Sequence, residues 1–165
     1  MKYNSALLRR LHVELIDILR EVVRVCDKAG IPYFVQGGTA IGVHFFEDIV
    51  PWDDDIDIGM TRPNYERFLR EAPALLGEEY VLQEFNTEPN TPFYFAKVRK
   101  RGTRFVESEW VGLPIEDGIY IDIFPYDLIP DNERLRRRQR AKVGFWVNCF
   151  IAKSVWIWPW LGKAN

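Results

Sequence analysis

The run Pro51-Trp52-Asp53-Asp54-Asp55-Ile56-Asp57-Ile58 packs four carboxylates into five positions, and that density limits what the segment can do. Carboxylates held this close repel one another, and burial without a cation would raise some of their pKa values until they neutralise. A divalent ion removes the conflict. Oxygen donors are the ligands Mg²⁺ prefers, and it typically keeps waters and completes its shell with phosphate oxygens of a substrate. Asp55 and Asp57 stand two apart, so on a strand both side chains leave the same face and can share a metal. In Gly118-Ile119-Tyr120-Ile121-Asp122-Ile123-Phe124 the three isoleucines take one face and leave Asp122 on the other, beside Tyr120. An acid in such a strand costs stability unless it is paired or metal-bound. The plainer readings are a solvated acidic loop or a calcium site for the run, and an exposed edge-strand face for Asp122. The EF-hand pattern is not met, because its glycine and closing glutamate are missing at the required offsets.

Gly37-Gly38-Thr39 supplies a second chemical element. Bare backbone N–H groups and a hydroxyl at the start of a helix can approach an anion; a tight turn is the plain alternative. A turn that grips phosphates and acids that hold a metal together describe phosphoryl transfer.

The elements that must position these groups are legible in the spacing. Leu8, Leu11, Leu15, Ile18, Val22 and Val25 recur at helical intervals, with charges between them, so residues 5–29 form an amphipathic helix that stops at Gly30 and Pro32. Tyr33–Gln36 reads as a short buried strand running into the glycines, followed by a short helix over Ala40–Phe46. Ile56, Ile58 and Met60 alternate with Asp57 and Gly59 as a strand does. Thr61 is placed to cap a helix opened by Arg62 and Pro63, with Tyr65, Phe68 and Leu69 as its apolar stripe. Tyr80–Phe85, Phe93–Arg99, Thr103–Val106 and Ile119–Phe124 are further candidate strands, and Asp131 is a candidate cap for a long C-terminal helix over about residues 131–160. This mixture predicts an α/β or α+β fold, a small mixed sheet with helices mainly on one face.

Length and composition narrow the setting. The 165 residues fit a single domain without repeats or low-complexity linkers. Cys26 and Cys149 are the only cysteines and form no CxxC or zinc spacing, which fits a reducing cytoplasm. A formal net charge of -2 argues against nucleic acid as partner. Charges break up the first twenty residues, unlike a signal peptide. Arg134, Arg136, Arg137, Arg138 and Arg140 lead into an aromatic stretch, 143–161, that is interrupted too often to span a bilayer. A core or interface helix is the plain reading of that stretch; contact with an anionic membrane surface or a partner is the alternative. His44 and His12 receive no role.

With Gly37-Gly38-Thr39, residues 51–60, 65–69 and Tyr120-Ile121-Asp122-Ile123-Phe124-Pro125 in place, the chain resembles the LicD family. Those phosphocholine-type transferases fall in the nucleotidyltransferase (DNA polymerase beta-like) superfamily, together with fukutin-type phosphosugar transferases. The resemblance covers about residues 33–130. It implies a nucleotidyltransferase-like core there, Gly37, Gly38 and Thr39 as the phosphate-contacting turn, and Asp55, Asp57 and Asp122 as catalytic metal ligands for Mg²⁺ or Mn²⁺. Asp122 is then the candidate acceptor of the attacking hydroxyl's proton, with Asp53 and Asp54 in support. The family's basic strand places Lys97 or Arg99 as phosphate ligands, against an exposed basic hairpin as the plain alternative. Where members commonly carry a basic pair, this chain has His44-Phe45-Phe46-Glu47-Asp48.

The implied activity moves a phosphorylated alcohol such as phosphocholine from a CDP-linked donor, CDP-choline for example, to a glycan hydroxyl in cell-surface polysaccharide, teichoic acid or lipopolysaccharide. The implied location is the cytoplasm, at or near the inner membrane face. Two other readings stay open at this point: nucleotidyl transfer to a small molecule or protein, and a non-catalytic module of a glycan-synthesis complex.

Overall fold

A computed structural model of the chain describes residues 5–88, 91–108 and 111–152. The first helix, α1 (Ser5–Ala29), buries Leu8, Leu11, Leu15, Ile18, Val22 and Val25, the stripe its spacing predicts. Its end is a Schellman turn: Gly30 takes a left-handed φ of 61°, its N–H donates to the Asp27 carbonyl, and the Ile31 N–H donates to that of Cys26.

After α1 come β1 (Phe34–Val35), α2 (Gly37–Phe45), β2 (Asp57–Thr61), α3 (Arg62–Glu71), a short 3-10 turn, β3 (Tyr80–Gln83), β4 (Ala96–Lys100), β5 (Tyr120–Tyr126) and α4 (Glu133–Ala152). The five strands form one open sheet in the order β1-β2-β5-β4-β3. β2 and β5 run parallel, and every other pair is antiparallel. The fold is therefore mixed α/β, as the alternation of patterns predicts.

Cross-strand partners share a face, so the register divides the sheet. Ile58, Ile121, Ile123, Ala96, Val98 and Leu82 stand on one side. There they join the stripe of α1 and Tyr65 and Phe68 of α3 in one core. α1 lies over β4 and β5, and α3 over β2 and β5. Asp57, Asp122, Lys97 and Gln83 take the other side, in one row across four strands.

Several boundaries differ from the spacing-based expectation. Helix α2 begins at Gly37 and not at Ala40, so the glycines form its first turn. Strand β2 begins at Asp57, leaving Asp55 on the loop before it. Thr103–Val106 is not a strand. Thr103 donates its hydroxyl to the Lys100 carbonyl and accepts the Ile119 N–H, and the Phe105 N–H donates to the Asp117 carbonyl, so isolated bonds hold this segment without a regular ladder. Asn132, not Asp131, caps α4, its Oδ1 accepting the Leu135 N–H at 3.1 Å. Thr61 precedes α3 without a side-chain cap bond. α4 is described as far as Ala152; Trp156, Trp158 and Trp160 lie outside the described residues. Among the described residues no helix is long and apolar enough to cross a membrane.

Candidate active site on the polar face of the sheet

The site is assembled at the junction of β2 and β5. Parallel pairing sets Asp57 directly across from Asp122, and the Asp122 N–H donates to the Ile56 carbonyl at 2.9 Å, which carries the ladder one residue beyond β2. The acidic loop enters from that end. Asp53, Asp54 and Asp55 are half-buried, each with a carboxylate oxygen within 4.8 Å of the others'. The loop is tied to α1, where His12 Nε2 donates to the Asp53 carbonyl at 2.7 Å.

Helix α2 seats the acids from the other side. The Thr39 hydroxyl accepts the Asp57 N–H at 2.8 Å. A Cβ on Gly37 would lie 2.9 Å from Asp57 Oδ2, and one on Gly38 only 2.2 Å from Asp53 Oδ2. The two glycines therefore let two carboxylates approach the first turn of the helix, where its dipole favours negative charge. Gly37 also has a φ of 54°, a conformation costly to other residues. In this structure the glycine turn faces carboxylates.

Crowding shows in the protonation equilibria. Burial, followed by the charges of Asp57, Asp53, Asp54 and Asp122, pushes Asp55 up to about 7. Burial and the Asp53 charge raise Asp57, against a lowering pull from Lys97. Burial pushes Asp122 up to about 6 despite its lysine partner. A set of hard oxygen donors that repel one another could hold a divalent cation.

Lys97 and Arg99 are both buried, with relative exposures of 1% and 3%, so the exposed-hairpin alternative falls away. Lys97 Nζ donates to Asp122 Oδ1 at 2.8 Å and lies 3.7 Å from Glu107 Oε2. Arg99 donates to Gln83 Oε1 and to the Gly118 carbonyl, each at 2.6 Å, and its guanidinium lies 4.6 Å from the centre of the Tyr120 ring. Both cations are thus engaged inside the protein. His44 meets the Phe45 ring edge-on and lies on exposed α2 surface. Sequence reasoning gave no role to His12 or Glu107. Neither had a local signal: His12 reaches the loop from α1, 41 residues away, and Glu107 lies on the irregular segment after β4, where no alternation assigns it a side.

Residues 30–145 match the model of the family described as LicD/FKTN/FKRP, nucleotidyltransferase domain, a span that contains the glycine turn, the acidic run, β4 and Asp122. The lipopolysaccharide cholinephosphotransferase LicD of Haemophilus influenzae is 27% identical over 150 residues, which cover 84% of this chain and 53% of that protein. The ribitol 5-phosphate transferases FKRP of mouse and human are 41% identical over 46 residues, 28% of this chain and 9% of theirs. The chain thus spans about half of the Haemophilus protein and a small part of FKRP. With the family match running through every element that carries the acids, the chain belongs to the LicD/FKTN/FKRP nucleotidyltransferase domain family.

Proposed function

We propose that this domain transfers a phosphorylated alcohol, phosphocholine in the first instance, from a CDP-linked donor to a glycan hydroxyl, with Asp55, Asp57 and Asp122 as its catalytic carboxylates. The observation that carries this reading is the register pairing of Asp57 with Asp122, with three more carboxylates gathered at the mouth of the same two strands. Asp55, Asp57 and Asp122 would hold Mg²⁺ or Mn²⁺, with Asp53 and Asp54 in support; when bound, the ion neutralises charge on the donor diphosphate.

The chain's own residues do the rest. The N-terminus of α2, with Gly37, Gly38 and Thr39, lies against Asp53 and Asp57 and fixes their approach. Asp122 accepts the proton of the acceptor hydroxyl. The hydroxyl oxygen forms the new bond to phosphorus, the phosphorus–oxygen bond to CMP breaks, and CMP leaves with the electron pair. Lys97, beside Asp122 in this row, and Arg99, two residues along the same strand, supply buried positive charge. The relatives' names give choline phosphate and ribitol 5-phosphate as transferred groups, so the headgroup is the part that varies among them. The exposed Phe145 and Trp146 of α4, following its basic first half, support contact with an anionic membrane face where such acceptors would be met.

Calorimetric titration of CDP-choline with and without Mg²⁺, together with assay of released CMP, tests this reading. Metal-dependent binding and CMP release support it. Pyrophosphate release from a nucleoside triphosphate would replace it with nucleotidyl transfer, and metal binding without any turnover would leave a binding module.

A further inference from the structure

Lys97 is among the largest fully buried side chains of the protein, and its surroundings are unusual for a core residue. Its ammonium sits 3.4 Å from the centre of the Tyr120 ring, 4.3 Å from that of Phe93 and 5.3 Å from that of Phe95. Two carboxylates complete the shell, Asp122 at 2.8 Å and Glu107 at 3.7 Å. Burying a cation and its partner is expensive, and an apolar residue of similar volume is often no less stable. Stability alone therefore does not account for a lysine here.

Its placement does. Lys97 and Asp57 flank Asp122 from opposite neighbouring strands. Lys97 takes Oδ1, which leaves Oδ2 for a ligand or a proton. The rings block the other directions the ammonium could take, and cation–π attraction strengthens in such a desolvated setting. Glu107 lies on the segment after β4, so that segment reaches the carboxylate row through the lysine. A donor phosphate could meet Nζ only by displacing Asp122, Glu107 or a ring.

From this geometry we infer that Lys97 is a positioning residue: it holds the Asp122 carboxylate in its working orientation, and Glu107 holds Lys97. This replaces the phosphate-ligand role suggested by sequence, and it rests on the proposed function for what Asp122 does once placed. Lys97→Met should leave metal-dependent affinity for CDP-choline within about threefold of the parent and lower kcat by roughly 100-fold. Lys97→Arg should recover part of that loss, because charge and donors return. Glu107→Gln, at a half-exposed position that threatens folding less, should lower kcat by about tenfold with unchanged donor affinity.

The test combines these kinetics with crystal structures of Lys97→Met and Glu107→Gln, reading the Asp122 side-chain torsion. A carboxylate turned away from its parental orientation in either variant is the expected result. An unmoved Asp122 overturns the inference, and so does a tenfold or greater loss of donor affinity with kcat retained, which would make Lys97 a phosphate ligand. If Lys97→Met does not fold, Glu107→Gln decides by the same two readouts. If the parent releases no CMP from CDP-choline while Asp122 still turns in the variants, the donor assignment fails and the positioning role stands.

Discussion

The two faces of the sheet are made from the same strands and obey opposite rules. On the face beneath α1 and α3, Ile58, Ile121, Ile123 and Val98 are fully buried and need only volume and shape, because dispersion and water exclusion have no direction. On the other face Asp122, Lys97, Arg99 and Gln83 are also buried, yet each is stable there only through a named partner at a set distance. One face therefore tolerates isosteric exchange and the other does not, and the face that pays for directional contacts is the one that can do chemistry.

Substitutions can break this contrast, and the largest effect is expected on the polar face. Asp57→Ala should lower CMP release by roughly a thousandfold or more, about 4 kcal/mol on the barrier, while the melting temperature holds or rises, since a crowded carboxylate is gone. Retention of most activity would remove Asp57 from the mechanism.

On the apolar face Phe68→Ala should do the reverse. Loss of a fully buried ring costs about 3–5 kcal/mol of stability, to be read by urea unfolding, with kcat of the folded fraction little changed. A comparable fall in kcat per folded molecule would mean that the faces are coupled more tightly than packing alone requires.

A smaller effect sharpens the boundary between them. A Cβ on Gly118 would fall 2.3 Å from the Lys100 carbonyl oxygen, and the Gly118 carbonyl is one of the acceptors of Arg99. Gly118→Ala should cost about 1–3 kcal/mol through a backbone shift. It should lower activity as well, unlike a change of equal cost under α1; parallel unfolding and CMP-release measurements would show the difference.

The smallest and most diagnostic contrast is with pH. Asp55, Asp57 and Asp122 sit above the ordinary carboxylate value, so the folded metal-free chain binds more protons than the unfolded one. Their contribution to stability is present at low pH and is lost as pH rises from about 4 towards the folded value of about 7 for Asp55. At the rim of the apolar face the sign reverses. Asp17 is lowered by hydrogen bonds from Lys100 and Tyr80, and Glu21 by its hydrogen bond from Arg24. Their contribution is present above the ordinary carboxylate pKa and fades as pH falls below it. Melting curves in EDTA should therefore show stability falling between about pH 5 and pH 7, and saturating Mg²⁺ should flatten that slope. A slope unaffected by divalent ions would argue against a cation among these acids.

Much of this was open to reading from the chain, and the failures are specific. The helix of residues 5–29 was legible because its apolar period and its Gly30 stop are both local. The faces of Asp57 and Asp122 were legible because alternation assigns a side to each residue of a strand. The strand expected over Thr103–Val106 is absent because isolated bonds hold the segment, those of the Thr103 hydroxyl and that from the Phe105 N–H to the Asp117 carbonyl, and not a continuous ladder. The cap expected at Asp131 moved one residue because Asp and Asn are nearly equal N-caps and only the backbone path chooses between them.

Sequence by itself determined the acid-rich run, the alternation that sets Asp57 and Asp122 apart from the apolar residues beside them, the apolar stripe of α1, and glycines between β1 and the helix that follows. All of these follow from spacing within one element. Tertiary structure alone decided that β2 lies beside β5 in the register that opposes Asp57 to Asp122. It also put Lys97 inside a cage of rings and acids and turned the glycines towards carboxylates. The reason is that alternation fixes which way a side chain points but not which strand comes to lie next to it; that choice belongs to the joint packing of elements up to a hundred residues apart, where burial is shared and no local pattern records the partner.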